Sequence, residues 1–506
     1  MRNLHLLPRR DFLKTGAAAA AAFTLLPSGS YARQRRISAN DRVNIAVIGC
    51  GGMGRANLHA LSSQNIVALC DVDWGYVDSR FADIDKQLET ARTRLAQARD
   101  DAERGRQQTQ VDGWVSLQAK LPKAKRYNDY REMLEKEKKN IDAVVIATPD
   151  HGHAVQALAA MDLGKHVYVQ KPLCWSVEEC RLLTAKAAST KVQTQMGNQG
   201  HSSDDARLVN EYIQSGAIGT VTAVHVWTNR PLAYWPQGIP RPAPLPANAG
   251  SLPWNMNGVM TRAAGAMGSF TPPDKLAWDL FLGTSRYIEY HPIYHPFNWR
   301  GWCDWGVGAI GDMGAHLIDS SFWSLDLDYP TAIETTSTPY NKETYPLATT
   351  TYYEFPAKGA RPAVNMTWYD GGLLPPKPVE MGEEEFNKGG GVLFVGTKGK
   401  LLHDTYGYNP RLLPKSLHDS TGKPPQTIER IKTSHEMNWI DAIRGTQKAS
   451  TPFEYSAKLN EIMLLGVVAL NAGKKIQYDG AGMKITNVAD SDALLKRAYR
   501  DGWKPA

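Results

Sequence analysis

Val43-Asn44-Ile45-Ala46-Val47-Ile48-Gly49-Cys50-Gly51-Gly52-Met53-Gly54-Arg55 is the stretch that decides the fold. Its first six residues are mostly apolar and branched, the pattern of a strand buried on both faces. The run passes directly into Gly49, Gly51 and Gly54, spaced as G-x-G-x-x-G, and a helical stretch from Arg55 to Ser62 follows. Gly49 permits the tight turn, Gly51 lets the backbone approach a pyrophosphate, and Gly54 lets helix and strand pack closely. The helix N-terminus offers free N–H groups and a partial positive charge to phosphates. A second strand, Ile66 to Cys70, ends at Asp71, 20 residues after Gly51. A carboxylate there accepts from ribose hydroxyls and repels a 2′-phosphate, which favours NAD over NADP. Asp73 competes for that role, but its place two residues on reads as solvated.

Outward from this unit, strands and helices alternate. Ile141–Ala147 is a strand leading to Thr148-Pro149-Asp150-His151-Gly152-His153; a helix runs from about Ala154 to Leu163; Lys165–Val169 is a strand ending in Gln170-Lys171-Pro172. This predicts an α/β fold opening with a Rossmann-type, doubly wound parallel sheet over residues 41–172, with ligands at the carboxyl ends of the strands. Residues 83–108 are dense in Arg, Asp, Glu, Ala and Gln, with Leu88 and Leu95 seven apart, and read as an exposed helical insertion. From Ile218 the strand-like runs are Thr220–Trp227, Ala332–Thr338, Thr349–Phe355, Ala363–Trp368 and Gly391–Val395. They predict a second, α+β domain over 173–480 with a mostly antiparallel sheet, closed by helices at His435–Ile443 and Ser456–Ala472, with a tail over 481–506. Gly389-Gly390-Gly391 and Gly396-Thr397-Lys398-Gly399 lack a following helix and read as turns, not as a second nucleotide loop.

The 506 residues call for two domains, and 42% hydrophobic against 22% charged residues describes a globular chain. The net charge of +7 includes Arg2, Arg9, Arg10 and Lys14 against Asp11 in the first 32 residues. The remaining basic residues are mixed with acidic ones, so no nucleic-acid partner is expected. Arg9-Arg10-Asp11-Phe12-Leu13-Lys14, the apolar run Thr15–Leu26 and the small-x-small Ser30-Tyr31-Ala32 form a twin-arginine export signal over residues 1–32. A periplasmic or otherwise exported protein with no membrane anchor after processing is expected, and export of an already folded chain suits a cofactor acquired beforehand. Cys50, Cys70, Cys174, Cys180 and Cys303 contain no CxxC pair, so neither a disulfide framework nor a metal site is expected.

The glycine loop Gly49–Gly54, Asp71, Ala147-Thr148-Pro149 with His153, Gln170-Lys171-Pro172 and Gly308-Ala309-Ile310-Gly311-Asp312-Met313-Gly314-Ala315-His316 together resemble the glucose–fructose oxidoreductase/inositol dehydrogenase/MocA (Gfo/Idh/MocA) family. The resemblance covers nearly all of residues 41–480, and Gln170 stands where the family usually has Glu. It implies NAD as cofactor, held by Gly49, Gly51, Gly52, Met53, Gly54, Asp71, Thr148, Pro149, His153 and Gln170. It also implies Lys171 as the group that hydrogen-bonds the reacting hydroxyl, His316 as general base and Asp312 as its support or a substrate ligand. Asp312 and His316 are four apart, so they share a helix face; an N-cap role for Asp312 and a core role for His316 compete with the catalytic one. A homo-oligomer, dimer or tetramer, built on the open sheet face is implied as well.

Asn198 and Gln199 follow a short strand and are candidate cofactor or substrate contacts. The stretch from Trp227 to Trp305, with Trp235, Trp254, Tyr294, His295, Trp299, Arg300, Trp302 and Trp305, offers aromatic faces and donors for a carbohydrate, Trp299 and Arg300 in particular. An aromatic core or a subunit interface fits the same composition. Three functions remain open: a sugar or glycoside dehydrogenase; a glycosidase, lyase or epimerase that oxidises transiently and keeps its NAD; and a non-catalytic sugar-binding or cofactor-sensing module.

Overall fold

The computed structural model describes residues 42–505; the export signal expected over 1–32 lies outside them. Six parallel strands form the first sheet: β1 (Asn44–Ile48), β2 (Asn65–Cys70), β3 (Lys125–Tyr127), β4 (Ala143–Ile146), β5 (His166–Gln170) and β6 (Thr194–Gly197), in the order β3-β2-β1-β4-β5-β6. Ile45, Ala46 and Val47 are fully buried because helices cover both faces, which explains the unbroken apolar run. Strand order reverses beside β1, so the crevice of a doubly wound sheet opens above Gly49. Helix α1 (Met53–Ala60) leaves that loop.

The charged insertion is a helical hairpin, Ile84–Ala96 and Asp101–Lys120. It extends past the expected end at 108 because Val111, Trp114 and Leu117 turn inward. The Trp114 ring packs 4.1 Å from the His59 ring of α1, tilted by 39°, and a Cβ on Gly113 would lie 2.6 Å from His59 Nε2. The hairpin therefore docks on the nucleotide-loop helix through a position where a Cβ would have to displace the His59 ring.

The second sheet has nine strands: β7 (Val221–Thr228), β8 (Ala332–Ser337), β9 (Thr349–Phe355), β10 (Val364–Tyr369), β11 (Gly390–Gly396), β12 (Lys400–Asp404), β13 (Arg411–Leu413), β14 (Ile476–Asp479) and β15 (Lys484–Ile485). Their order is β13-β12-β11-β7-β10-β9-β8-β14-β15. Every pair is antiparallel except β7 with β10. Alternation sets the faces: Thr351, Tyr353 and Phe355 point inward while Tyr352 and Glu354 point out. Helices α2 (Val177–Thr190), α3 (Gly308–Ser324) and α4 (Phe453–Ala472) fill the space between the sheets. All but three residues of α3 are buried, as expected of a helix apolar on every side. One continuous core joins both sheets through these helices.

Of the tail expected over 481–506, the described residues fold back on both domains. Tyr499 donates to Glu179 (3.0 Å), Arg497 Nη1 donates to the His151 carbonyl (3.1 Å), and Trp503 takes the Arg131 guanidinium on its ring at 4.2 Å.

Buried histidines stitch the core. His435 bonds the Met196 carbonyl and Ser202, and His403 bonds Ser320 and the Asp404 carbonyl. Burial pushes His151 and His435 down to about 3, and His153 and His403 down to about 4. Burial also pushes Asp150 up to about 7 and Asp370 up to about 6. As pH falls below the ordinary histidine value of about 6.5, the unfolded chain protonates four histidines that the native state keeps neutral. The two aspartates take their protons first in the native state and offset part of this. His316, also held neutral by burial, adds to the histidine side, so stability declines as pH falls between roughly 6 and 4.5. Urea unfolding midpoints across that window check this; a flat or rising profile contradicts it.

Candidate active site

The glycine loop is shaped by close approach. Gly49 has φ +82°, and a Cβ there would lie 2.5 Å from the Ala147 carbonyl oxygen; one on Gly54 would lie 1.7 Å from the Gly49 oxygen. Gly52, by contrast, is exposed with open space above it, and neither it nor any other side chain caps α1. The first-turn N–H groups, Met53 included, face that space as an anion site. Asp71 stands beside the loop: Oδ2 accepts from Cys50 N (2.7 Å) and Oδ1 from Asp73 N (2.9 Å), so each oxygen keeps capacity for a hydroxyl. Burial raises its carboxyl, and those two main-chain donors oppose the rise.

Asp73 departs from expectation. It is buried, caps the helix Trp74–Ala82 through Tyr76 N (2.9 Å) and bonds His295 Nε2 at 2.7 Å. The cause is a segment the sequence did not place: Ala277 N donates to the Val72 carbonyl (2.8 Å), laying the chain around residues 276–295 across the end of β2.

At the ends of β5 and β6, polar atoms lack partners among the described residues. Asn198 is buried with neither amide atom bonded, and Gln170 Oε1 is also unpartnered while its Nε2 donates to Asn57 (2.9 Å). Thr148 donates to Gln156 (2.9 Å), and Pro149 opens the turn Asp150–Gly152. Orphaned groups of this kind, with the open glycine cradle and Asp71, fit a dinucleotide. His153 does not join them. Its ring nitrogens face the carbonyls of Pro172 (2.7 Å) and Thr148 (2.8 Å), which leaves none for a cofactor. It clasps the two strand-end loops together.

Lys171 leaves β5 and meets α3. Its Nζ donates to the Asp312 carbonyl (2.6 Å) and to Oδ1 (2.8 Å). Arg230 Nε lies 3.3 Å from Asp312 Oδ2, and Arg300 Nε lies 3.4 Å from Oδ1. Although burial alone would raise it, Lys171, Arg300 and Arg230 hold the Asp312 carboxyl far below the usual range. Burial lowers Lys171, against the pull of Asp312. Asp312 sits in the second turn of a helix that starts at Gly308, so it is not an N-cap. One turn on, His316 is buried with neither ring nitrogen bonded, its ring edge-on to Tyr406 at 4.6 Å. Burial first, then Lys171, keeps it neutral.

Trp299 belongs to a buried aromatic cluster with Trp278, Tyr294, Trp302 and Trp305 rather than to an open platform. Its ring carries the Arg300 guanidinium at 4.3 Å, so it supports the arginine that reaches the site. Of the residues named for the site, Lys171, Asp312, His316 and Arg300 converge. Sequence reasoning missed Arg230, Asp150 and Tyr406. Asp150 accepts from Val307 N (3.0 Å) and feels Arg300, Lys171 and Asp312; its position at a strand end was the available signal. Arg230 likewise follows β7 by two residues. Tyr406, at φ +68° in a late turn, carried none.

Two family profiles match the chain. One, described as oxidoreductase family, NAD-binding Rossmann fold, spans residues 43–198; the other, oxidoreductase family, C-terminal alpha/beta domain, spans 254–505. A glycosyl hydrolase family 109 protein of Shewanella pealeana is 26% identical over 234 residues, 42% of this chain and 44% of that one. An alpha-N-acetylgalactosaminidase of Shewanella oneidensis is 25% identical over 43% and 44%. The chain thus matches less than half the length of these curated relatives. Two solved structures share the fold. The WlbA dehydrogenase from Bordetella pertussis, in complex with NADH and UDP-GlcNAcA, has TM-score 0.51 and 14% identity over 87% of this chain and 99% of that one. GenD2 from gentamicin A biosynthesis, in complex with NAD, has TM-score 0.50 and 15% identity over 90% and 99%.

Replacing Asp312 by Asn leaves three buried cations without their shared anion. We expect this to cost about 3–5 kcal/mol of stability, read by urea unfolding, and Arg230→Met in the Asp312→Asn background to recover part of it. An unchanged midpoint in the single variant would show that the cluster is solvated.

Proposed function

The chain belongs to the Gfo/Idh/MocA oxidoreductase family and carries its NAD-binding domain, and on that premise we propose that it oxidises a ring carbinol of a sugar or glycoside. The observation that carries this reading is the buried Lys171–Asp312 pair beside His316, whose ring nitrogens are both unpartnered. Bound NAD supplies the hydride acceptor. Glycine loop, Asp71, Gln170 and Asn198 are the residues that would hold it. Lys171 spends two of its three protons on Asp312, fixing the direction of the third, which meets the substrate hydroxyl and stabilises oxyanion character as it develops. His316, kept neutral, takes the hydroxyl proton. Asp312 holds Lys171 in place and contributes no proton of its own. The twin-arginine leader supports action outside the cytoplasm. The outward face of the nine-stranded sheet, with Tyr352 46% exposed, supports assembly of a homo-oligomer.

The matches to glycosyl hydrolase family 109 proteins favour a second reading. In it, the ketone made in the first step acidifies the adjacent C–H bond, the glycosidic bond breaks by elimination to an unsaturated ketone with the aglycone leaving as its alcohol, water adds across that double bond, and the ketone is reduced again within the same site. Net redox change is then zero, which suits a compartment poor in free NAD.

Both readings share the first step, and one assay separates them. Purified protein holding its own NAD is offered sugars and glycosides while near-ultraviolet absorbance and products are followed. A lasting absorbance rise with a keto-sugar identifies the dehydrogenase; cleaved glycoside with solvent deuterium beside the former carbonyl identifies the second reading. Lys171→Ala and His316→Ala should each lower kcat/KM about 10²–10⁴-fold while the dinucleotide stays bound. Full activity in both variants would remove the proposal.

A further inference from the structure

The charges around Asp312 do not balance. Lys171 comes from the end of β5, Arg230 from the loop after β7, and Arg300 from the turn Asn298–Gly301. All three reach the one carboxylate. Their side chains are only 11%, 10% and 19% exposed, and Asp312 is 12% exposed. His316 is neutral at pH 7, and His153, whose two ring nitrogens both face carbonyls, brings no negative charge. The remaining acid in reach is Asp150, which burial biases toward its neutral form. Among the described residues the cluster therefore holds a surplus of one to two positive charges in a largely dry place. Chains rarely bury unmatched charge, because desolvation costs several kcal/mol per ion.

The cofactor does not supply the missing anion. Its pyrophosphate belongs at the α1 N-terminus, on the far side of β4 from Lys171, and an oxidised nicotinamide adds positive charge. The arginines, moreover, are held as receptors. Arg230 Cζ lies over the Tyr234 ring (3.3 Å to the centroid), and Arg300 Cζ lies over both Trp299 and Phe297 (4.3 Å each). Arg230 spends Nε on Asp312 and Nη1 on Asn229 (2.8 Å); Arg300 spends Nε on Asp312 and Nη1 on the Phe297 carbonyl (3.1 Å). Among the described residues no group bonds Nη2 of either arginine, and neither atom is fully enclosed. Aromatic faces fix the guanidinium planes while an N–H edge stays open, the arrangement that takes an oxyanion.

We propose that the substrate is an acidic sugar, its carboxylate, sulfate or phosphate group bound by Arg230 and Arg300 while Lys171 engages the reacting hydroxyl. This rests on the sugar-oxidation reading for its second half and on the charge cluster alone for its first. Two measurements on NAD-loaded protein keep the halves apart. The first is calorimetric titration with inorganic sulfate at constant ionic strength. Saturable binding that weakens at least tenfold in both Arg230→Gln and Arg300→Gln, with the bound NAD content unchanged, is expected; no binding, or binding indifferent to both variants, overturns the anion site. The second is turnover of matched methyl glycosides as the neutral sugar, uronate, 6-sulfate and 6-phosphate. A kcat/KM at least tenfold higher for one acidic form, with the preference lost in Arg300→Gln, is expected, and the favoured form identifies the oxyanion. Equal or better use of the neutral sugar overturns the substrate class and leaves sugar oxidation standing. Sulfate binding without turnover of any form overturns the oxidation reading and leaves the anion site standing.

Discussion

The pairing of Lys171 with Asp312 is the constraint on which the rest of the site depends. It ties the end of a strand in the nucleotide-binding sheet to a helix of the second domain, with the two groups 2.8 Å apart and nearly dry. A carboxylate in that setting tolerates no drift, since every ångström of separation leaves buried charge less compensated. Arg230 and Arg300 arrive from two further segments and tighten the same point. The chain around residues 171, 230 and 300–312 is thereby registered on one atom group, and His316, one turn along the same helix, inherits its position from it.

The nucleotide half was legible because its signals are local. A strand, three spaced glycines, a helix and an acid appear in one window, and each has a geometric reason that needs no distant partner. Strands of the second domain were legible where side chains alternate, as in Thr349–Phe355. They were missed where they are short and lean on neighbours: Arg411–Leu413 exists by pairing with Lys400–Leu402, and Lys484–Ile485 by pairing with Tyr478–Asp479. Among site residues, those inside motifs were found and those delivered by tertiary contact were not. Arg230 looks like any loop arginine until β7 aims it at Asp312. Asp73 looks solvated until His295, more than two hundred residues later, covers it.

The aromatic stretch shows how composition misleads about placement. Trp, Tyr and Arg together suit both a sugar surface and a packed core. The structure uses most of them as core, with Trp278, Trp302 and Trp305 buried among one another, and spends that rigidity on presenting Arg300. Support and recognition are divided between neighbours in sequence, the ring behind and the charged edge in front.

The closing segment has a consequence for how the molecule comes to be. Trp503 rests on Arg131 and lies beside Tyr130, Tyr499 reaches Glu179, and Arg500 bonds Asp279. These contacts join residues more than two hundred, and in some cases more than three hundred, positions apart. A ribosome releases the nucleotide-binding half long before the residues that brace it exist. That half waits, partly braced, until residues 497–503 have been made, and contacts of such long range form slowly. Docking of residues 497–503 is therefore a late step, and the earlier half is held open to partners until it happens.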